Sequence, residues 1–359
     1  MIHQAKQAIK QKAKNKDFNI ATSLCKEFLE KGDPDNETDG NSINGVKSCW
    51  DGYFLFDRFG VTPKAVCQFL RKVERDYPKR DTNPYHNNIH AADVIQTTHT
   101  LIQMGGSDMS CAYDTIDIYT ILIAAALHDV RHPGLNNTYQ VNKQTELALV
   151  YNDQSVLENM HASRASYLLR EAGGGTDNVD ANEGLFGTMS EEERTQVRTG
   201  VIRSILSTDM SHHFKAVAKM KGYIDGVLEE IEDEQEMNEC DDSPEPASIL
   251  SRIWKTKHSK LREKLLPYIL HLADISNPTK SPDVSIEWTD CCYEEFFKQG
   301  EKEESEDLPI SPLCDRATTN KADGQVGFIT YVVKPAFELL QVCLPGTKEV
   351  LTQVRYCHV

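Results

Sequence analysis

The stretch Tyr119–Gly134, YTILIAAALHDVRHPG, follows a mostly apolar run, Ile118 to Leu127, straight into His128-Asp129. A bilayer span needs about 20 such residues, so a run this short suits a helix buried in a protein core. A helix buried on all sides delivers its C-terminal end to a place where ions are expensive. A lone carboxylate there shifts its pKa or acquires a partner, because burying it unpaired costs on the order of several kcal/mol. The sequence therefore predicts a positive group waiting beside Asp129.

The helical pattern extends outward from this stretch. Apolar residues recur with helical period over 65–73, 89–104, 116–127, 162–169, 197–206, 261–273 and 328–342. Alternating Val/Ile/Thr runs bounded by hairpin turns are few. Breakers such as GGGTDN and SNPTKSPD separate the segments without marking a domain border. The expectation is an all-α fold, one compact domain over 48–359. Residues 1–47 read as a leader whose lysine-rich start has only a thin apolar face (Ile2, Ala5, Ile9, Ala13). That favours a solvated helix over a membrane-surface or calmodulin-binding one. The acidic tract 229–246 reads as a self-repelling mobile loop or frayed helix end.

Composition narrows the classes. The chain has 359 residues, of which 26% are charged, and the N-terminus lacks the apolar centre of a secretory signal. No stretch reads as a membrane span, and a cytoplasmic location is expected. The ten cysteines are scattered apart from Cys291-Cys292, with no CxxC, so reduced thiols are expected rather than a disulfide framework or a thiolate zinc site. A net charge of −16 opposes attraction to nucleic acid or anionic lipid. An anionic substrate then requires positive charge concentrated locally, for instance by metals.

His86 and His90 in YHNNIHAADV stand four apart, which on a helix puts both on one face. HExxH metalloproteases use the same spacing with a glutamate base after the first histidine; here that position is Asn87, and the peptidase reading loses its base. His128-Asp129 and His132 form HDxxH before a Pro133-Gly134 stop. Far downstream, HLADISNP places Asp274 at the end of a second apolar segment. Imidazole and carboxylate suit borderline and hard divalent ions, and a metal is the positive partner that Asp129 calls for. His3, His99, His212, His213, His258, His271 and His358 read as ordinary core or surface residues.

YHNNIHAADV, HDVRHPGLNN, ELALVYNDQSVLEN, LSTDM, LADISNPTK, WTDCCYEEFF and SPLCDR…QVGFI occur in one order and at matching spacing. Together they resemble the catalytic domain of the class I 3′,5′-cyclic nucleotide phosphodiesterases, within the HD-type metal hydrolases, over about 50–337. The likeness is strongest to the calmodulin-stimulated and cAMP-specific classes. It implies an all-α fold of about sixteen helices with the site in a deep pocket. It also implies hydrolysis of cAMP, or of cAMP and cGMP, to 5′-monophosphates by a two-metal-activated hydroxide. A phosphohydrolase of the same HD type acting on other nucleotide phosphoesters is the alternative.

Position by position, the resemblance makes His90, His128, Asp129 and Asp274 ligands of a tightly held Zn²⁺, with Asp129 bridging to a second ion, Mg²⁺ or Mn²⁺. His132, Glu158 and Thr208 would lie around the metal waters, and His86 would protonate the leaving oxygen, with Glu158 as its ion-pair partner. Gln325 would hydrogen-bond the purine and Phe328 stack on it, with Asn277, Tyr85 and Cys292 also lining the pocket. Arg131 stands where the family often has an acid. Met160 replaces a common histidine, and Cys292 replaces an aliphatic clamp on the base. The partner implied is the cyclic nucleotide, with no nucleic acid and no transmembrane segment. A homodimer and a calmodulin or other regulatory partner remain open.

Overall fold

The computed structural model describes residues 58–106, 109, 112–173, 184–237 and 259–356. The leader 1–47 lies outside the described residues. The described residues are helical and contain no β-strand, as the all-α reading expected. They form two compact units, one of residues up to 96 with 115–206 and 291–315, the other of 97–114, 207–290 and 316 onward.

In the first unit, α1 (Pro63–Asp76) starts where the Thr62 hydroxyl accepts the Ala65 N–H at 3.1 Å and Pro63 supplies a preset helical φ. The first turns of α2 (Asn88–Met104) follow. α3 (Thr115–Leu127) is the helix of the quoted stretch, and every residue from Ile118 to Leu127 is buried. Short α4 (Asn137–Asn142) and α5 (Glu146–Val150) lead into α6 (Val156–Ala172) and α7 (Glu191–Leu206). α7 packs on both α3 and α6, and α1 packs on α6 and α3, so α3 is sheathed by its neighbours. The latter half of α10 (Pro282–Ser305) completes this unit.

The second unit contains α8 (His213–Met237), α9 (Ser259–Asp274), α11 (Lys321–Phe328), a π-turn (Ile329–Val333), α12 (Lys334–Cys343) and α13 (Lys348–Tyr356). Residues 229–237 of the acidic tract continue α8, the helix-end alternative of the sequence reading and not the loop; 238–246 lie outside the described residues. α8 packs on α9 and α12, and the Tyr268 hydroxyl of α9 donates to the Ala336 carbonyl of α12 at 3.0 Å. Because the π-turn joins α11 to α12, the run Lys321–Cys343 is long and apolar enough to cross a membrane. The sequence reading had found no such run. Its residues Ile329, Val333, Ala336, Phe337, Leu340 and Cys343 are nevertheless buried within this unit, as a core helix requires. Two of the borders between the units, after Gln96 and after Asp290, fall inside α2 and α10, where no linker composition could mark them.

Cys67 in α1 is disulfide-bonded, contrary to the expectation of reduced thiols throughout. Cys291, Cys292, Cys314 and Cys343 are not disulfide-bonded.

The contact of α3 with α7 depends on Gly200. A Cβ there would fall 2.5 Å from the Thr120 methyl, and Thr120 is fixed in the helix by its hydroxyl bond to the Ile116 carbonyl at 2.7 Å. Gly200→Ala should therefore lose about 1–2 kcal/mol in urea unfolding, overpacking outweighing the gain in helix propensity. Adding Thr120→Ser should recover most of that loss. An unchanged midpoint in the single variant would mean that the two helices are not in tight contact.

Candidate metal centre

The end of α3 is held by Tyr77, which donates its hydroxyl proton to the Ala126 carbonyl at 3.2 Å and accepts the Asp129 N–H at 3.1 Å. His128, the next residue after the helix, bonds through Nδ1 to the Ala125 carbonyl at 2.9 Å. That bond needs a proton on Nδ1 and turns Nε2 toward His90 and Asp129. His128 Nε2 lies 3.2 Å from His90 Nε2 and 3.1 Å from Asp129 Oδ2, and His90 Nε2 lies 3.4 Å from the same oxygen. On the other side, His161 of α6 donates Nδ1–H to the Val130 carbonyl at 2.7 Å and sets Nε2 at 3.6 Å from Asp129 Oδ1. Burial alone would raise the Asp129 pKa. The charge of His128 and hydrogen bonds from His128 and His90 outweigh it and hold the carboxyl well below its usual range. The predicted positive surroundings of Asp129 are present in the side chains themselves.

His90 sits in the first turn of α2 because Asn87 caps that helix, its Oδ1 accepting the N–H groups of Ile89 at 2.8 Å and His90 at 3.4 Å. The helix therefore begins at Asn88, and His86 precedes it rather than sharing a helical face with His90. The two rings still meet, with centroids 5.7 Å apart. Asn87 Nδ2 bonds back to the carbonyls of Asn83 and Pro84 at 2.9 and 3.1 Å, which closes the bend that carries His86.

A second cluster brings together His86, His132 and Glu295. Glu295, from α10, accepts His86 Nδ1 at 2.5 Å on one oxygen and the N–H groups of Tyr85 and His86, both at 3.0 Å, on the other. Burial pushes the Glu295 pKa up, but the His86 charge and these hydrogen bonds bring it down to about 2. His132 stacks on His86 at 3.8 Å and its Nδ1 accepts the Gly134 N–H at 3.1 Å. Burial, then the charge of His86, lowers the His132 pKa well below the usual value, so this ring is neutral. The first cluster offers three converging donor atoms to a cation. In the second, the direct His86–Glu295 bond leaves no room for one.

The donor set of the first cluster fits a divalent metal. His90, His128 and Asp129 are buried, their donor atoms lie within 4.8 Å of one another, and two of the three are imidazole nitrogens. Arg131 is no part of it: its backbone takes φ +61°, its N–H donates to the Asp76 carbonyl at 3.0 Å, and its guanidinium lies 3.7 Å from the Asp76 carboxylate. Glu158, half-buried on α6, accepts Asn137 Nδ2 at 2.9 Å. The partner found for His86 is Glu295, which sequence reasoning missed although it lies within the quoted WTDCCYEEFF. Tyr85 is buried beside His86, while Cys292 on α10 is half-exposed, with burial raising its thiol pKa.

The remaining expected site residues belong to the second unit. Asp274 ends α9 and Thr208 is buried just before α8. Asn277 is buried in a 3₁₀ turn, Asn277–Thr279. Gln325 and Phe328 lie three apart on α11, both half-buried, immediately before the π-turn.

Residues 85–354 match the model of the 3′,5′-cyclic nucleotide phosphodiesterase family. The dual specificity calcium/calmodulin-dependent 3′,5′-cyclic nucleotide phosphodiesterase 1B of Homo sapiens is 38% identical over 286 residues, covering 80% of this chain and 46% of the relative. The 1C enzyme of Mus musculus is 36% identical over 288 residues, covering 80% of this chain and 35% of the relative. The chain thus spans less than half the length of these relatives. Among solved structures, the phosphodiesterase domain of the RhoPDE fusion protein from the choanoflagellate Salpingoeca rosetta matches with a TM-score of 0.72 and 27% identity, covering 96% of this chain and 92% of that one.

Zn²⁺ added to chelator-stripped protein should raise its unfolding temperature, since a ligand at 100 times its Kd stabilises by about 2.7 kcal/mol. His128→Ala should abolish that rise. An equal rise in the variant would remove His128 from the metal site.

Proposed function

The chain belongs to the 3′,5′-cyclic nucleotide phosphodiesterase family, and from that premise we propose that it hydrolyses 3′,5′-cyclic nucleotides to 5′-monophosphates. The observation that carries this reading is the pairing of His86 with Glu295 beside the buried His90–His128–Asp129 cluster. It combines a proton donor with a metal-binding set, the two components needed to break a phosphodiester whose leaving group is an alkoxide.

In this proposal His90, His128, Asp129 and Asp274 would hold the first metal as Zn²⁺, and Asp129 would also serve a second ion, Mg²⁺ or Mn²⁺. When bound, such ions activate water as a nucleophile and offset the charge that builds on phosphate. The protein's own side chains do the rest. Tyr77 accepts the Asp129 N–H and so holds its backbone in place before any ion arrives. Glu295 keeps an anionic partner on His86 Nδ1, which favours the protonated ring and leaves Nε2–H to protonate the 3′ oxygen. His132, Glu158 and Thr208 would position water around the ions. Gln325 would bond the purine and Phe328 would stack on it, with Asn277, Tyr85 and Cys292 completing the pocket. A glutamine amide can present either donor or acceptor, so Gln325 serves adenine and guanine alike. That fits dual use of cAMP and cGMP, the specificity printed in the names of the calcium/calmodulin-dependent relatives. The catalytic domain would span 48–359 and act in the cytoplasm.

Purified protein supplied with Zn²⁺ and Mg²⁺ should convert both cAMP and cGMP. Asp274→Ala should remove nearly all turnover and lower the bound zinc. Full activity in that variant would take Asp274 out of the metal set, and turnover confined to other nucleotide phosphoesters would overturn the substrate class.

Glu295→Gln removes the anion beside His86, so the imidazolium should lose its proton at lower pH. The basic limb of the kcat/KM profile should move down by about one pH unit, the scale of one close charge pair. A basic limb left in place would dissociate Glu295 from the acid's titration.

A further inference from the structure

His213 and His271 face each other in the core of the second unit, both buried, with His213 Nδ1 and His271 Nε2 2.8 Å apart. His213 is the first residue of α8, and His271 lies on α9 three positions before Asp274. The backbone carbonyl of Val332, inside the π-turn, accepts a hydrogen bond from the His213 ring. Burial lowers the pKa of both rings, that of His271 to about 4, so the pair is neutral at pH 7. With Nε2–H of His213 given to Val332, Nδ1 is the acceptor, and the bond between the rings runs from His271 Nε2–H to His213 Nδ1.

Two apolar side chains of similar volume would fill this space without desolvating two imidazoles. What hydrogen-bonded rings add is direction. The π-turn is the point where the pattern lengthens, with the Lys334 N–H bonding to the Ile329 carbonyl. If that turn reverted to α-helical register, every residue before it would rotate by about 100° relative to α12. Gln325 and Phe328 stand just upstream.

We infer that His213 is a positioning residue. By tying α9 to the Val332 carbonyl it maintains the π-turn, and through it the facing of Gln325 and Phe328 toward the base. This rests on the reading of Gln325 and Phe328 as the purine-binding pair.

Two amides of different reach separate this role from simple packing. The His213→Gln side chain can still reach the Val332 carbonyl, whereas that of His213→Asn keeps an amide near His271 and falls short of Val332. The asparagine variant should raise KM for cAMP and cGMP about tenfold, the scale of one net hydrogen bond, with kcat and bound zinc little changed. The glutamine variant should stay within about threefold of the parent. Hydrogen exchange gives a reading independent of activity, with faster exchange confined to 329–334 in the asparagine variant. Equal KM in the two variants would overturn the inference, as would acceleration of exchange over the whole chain, which would mark a packing role. A parent protein that hydrolyses neither cyclic nucleotide would sink the functional reading, and the inference with it. An active parent with indistinguishable variants would sink the inference alone.

Discussion

Asp129 stands two residues beyond a helix buried on every side, and its carboxylate is kept ionised there by His128 and His90, while the Tyr77 hydroxyl accepts its backbone N–H and the His161 ring lies against it. Each of those groups comes from a different segment: Tyr77 after α1, His90 from α2, His128 from the end of α3 and His161 from α6. Contacts to this one residue thus tie together four segments of this unit. Breaking such an arrangement by removing one partner is far more damaging than its net contribution would suggest, because the orphaned charge remains in the core. The same arrangement brings two imidazole nitrogens and a carboxylate oxygen to one point, a donor set that suits a divalent cation.

The surroundings of the cluster are built to the same end. Asn83 donates Nδ2–H to the His132 carbonyl at 2.8 Å, and Gly134, at φ +72°, lets the chain turn tightly against Asn83, where a Cβ would meet its Oδ1 at 3.0 Å. Arg131, also at positive φ, turns its side chain to Asp76, which also receives Arg164. The HDVRHPG segment is therefore held from both sides. Its tight backbone places His128, Asp129 and His132 on the inside while the arginine is carried outward.

The sequence revealed the parts of this site whose chemistry restricts residue type. Only a few side chains bind divalent ions, and their spacing around the end of an apolar helix is distinctive, so His90, His128 and Asp129 were legible one by one. The helical class was legible for a similar reason, since the apolar period is local. Glu295 was not legible: it lies 209 residues from His86, and nothing local in its helix distinguishes it from its exposed acidic neighbours. Nor was the start of α2 at Asn88, because the i, i+4 spacing of His86 and His90 was read as a shared helical face. The Asn87 cap decided the matter. The π-turn and the His213–His271 bond escaped for the same reason as Glu295, being products of tertiary contact that leave helical periodicity unchanged.

The stacked histidines show how a folded chain can choose which ring holds a proton. His86, His132 and His161 form a column, with centroids 3.8 Å apart for the first pair and 5.6 Å for the second. In water all three would titrate alike. Here burial lowers the His161 pKa to about 4 and that of His132 well below its usual value, and each carries hydrogen bonds that fit a neutral ring. A second charge in the column would face its neighbour across van der Waals distance at low dielectric, so the proton is confined to the ring with an anion of its own. Glu295 supplies that anion to His86 alone, and the backbone N–H groups of Tyr85 and His86 hold its other oxygen in place. The acid is thus selected by three separate features: exclusion of water from two rings, a carboxylate against the third, and backbone donors that prevent the carboxylate from turning away.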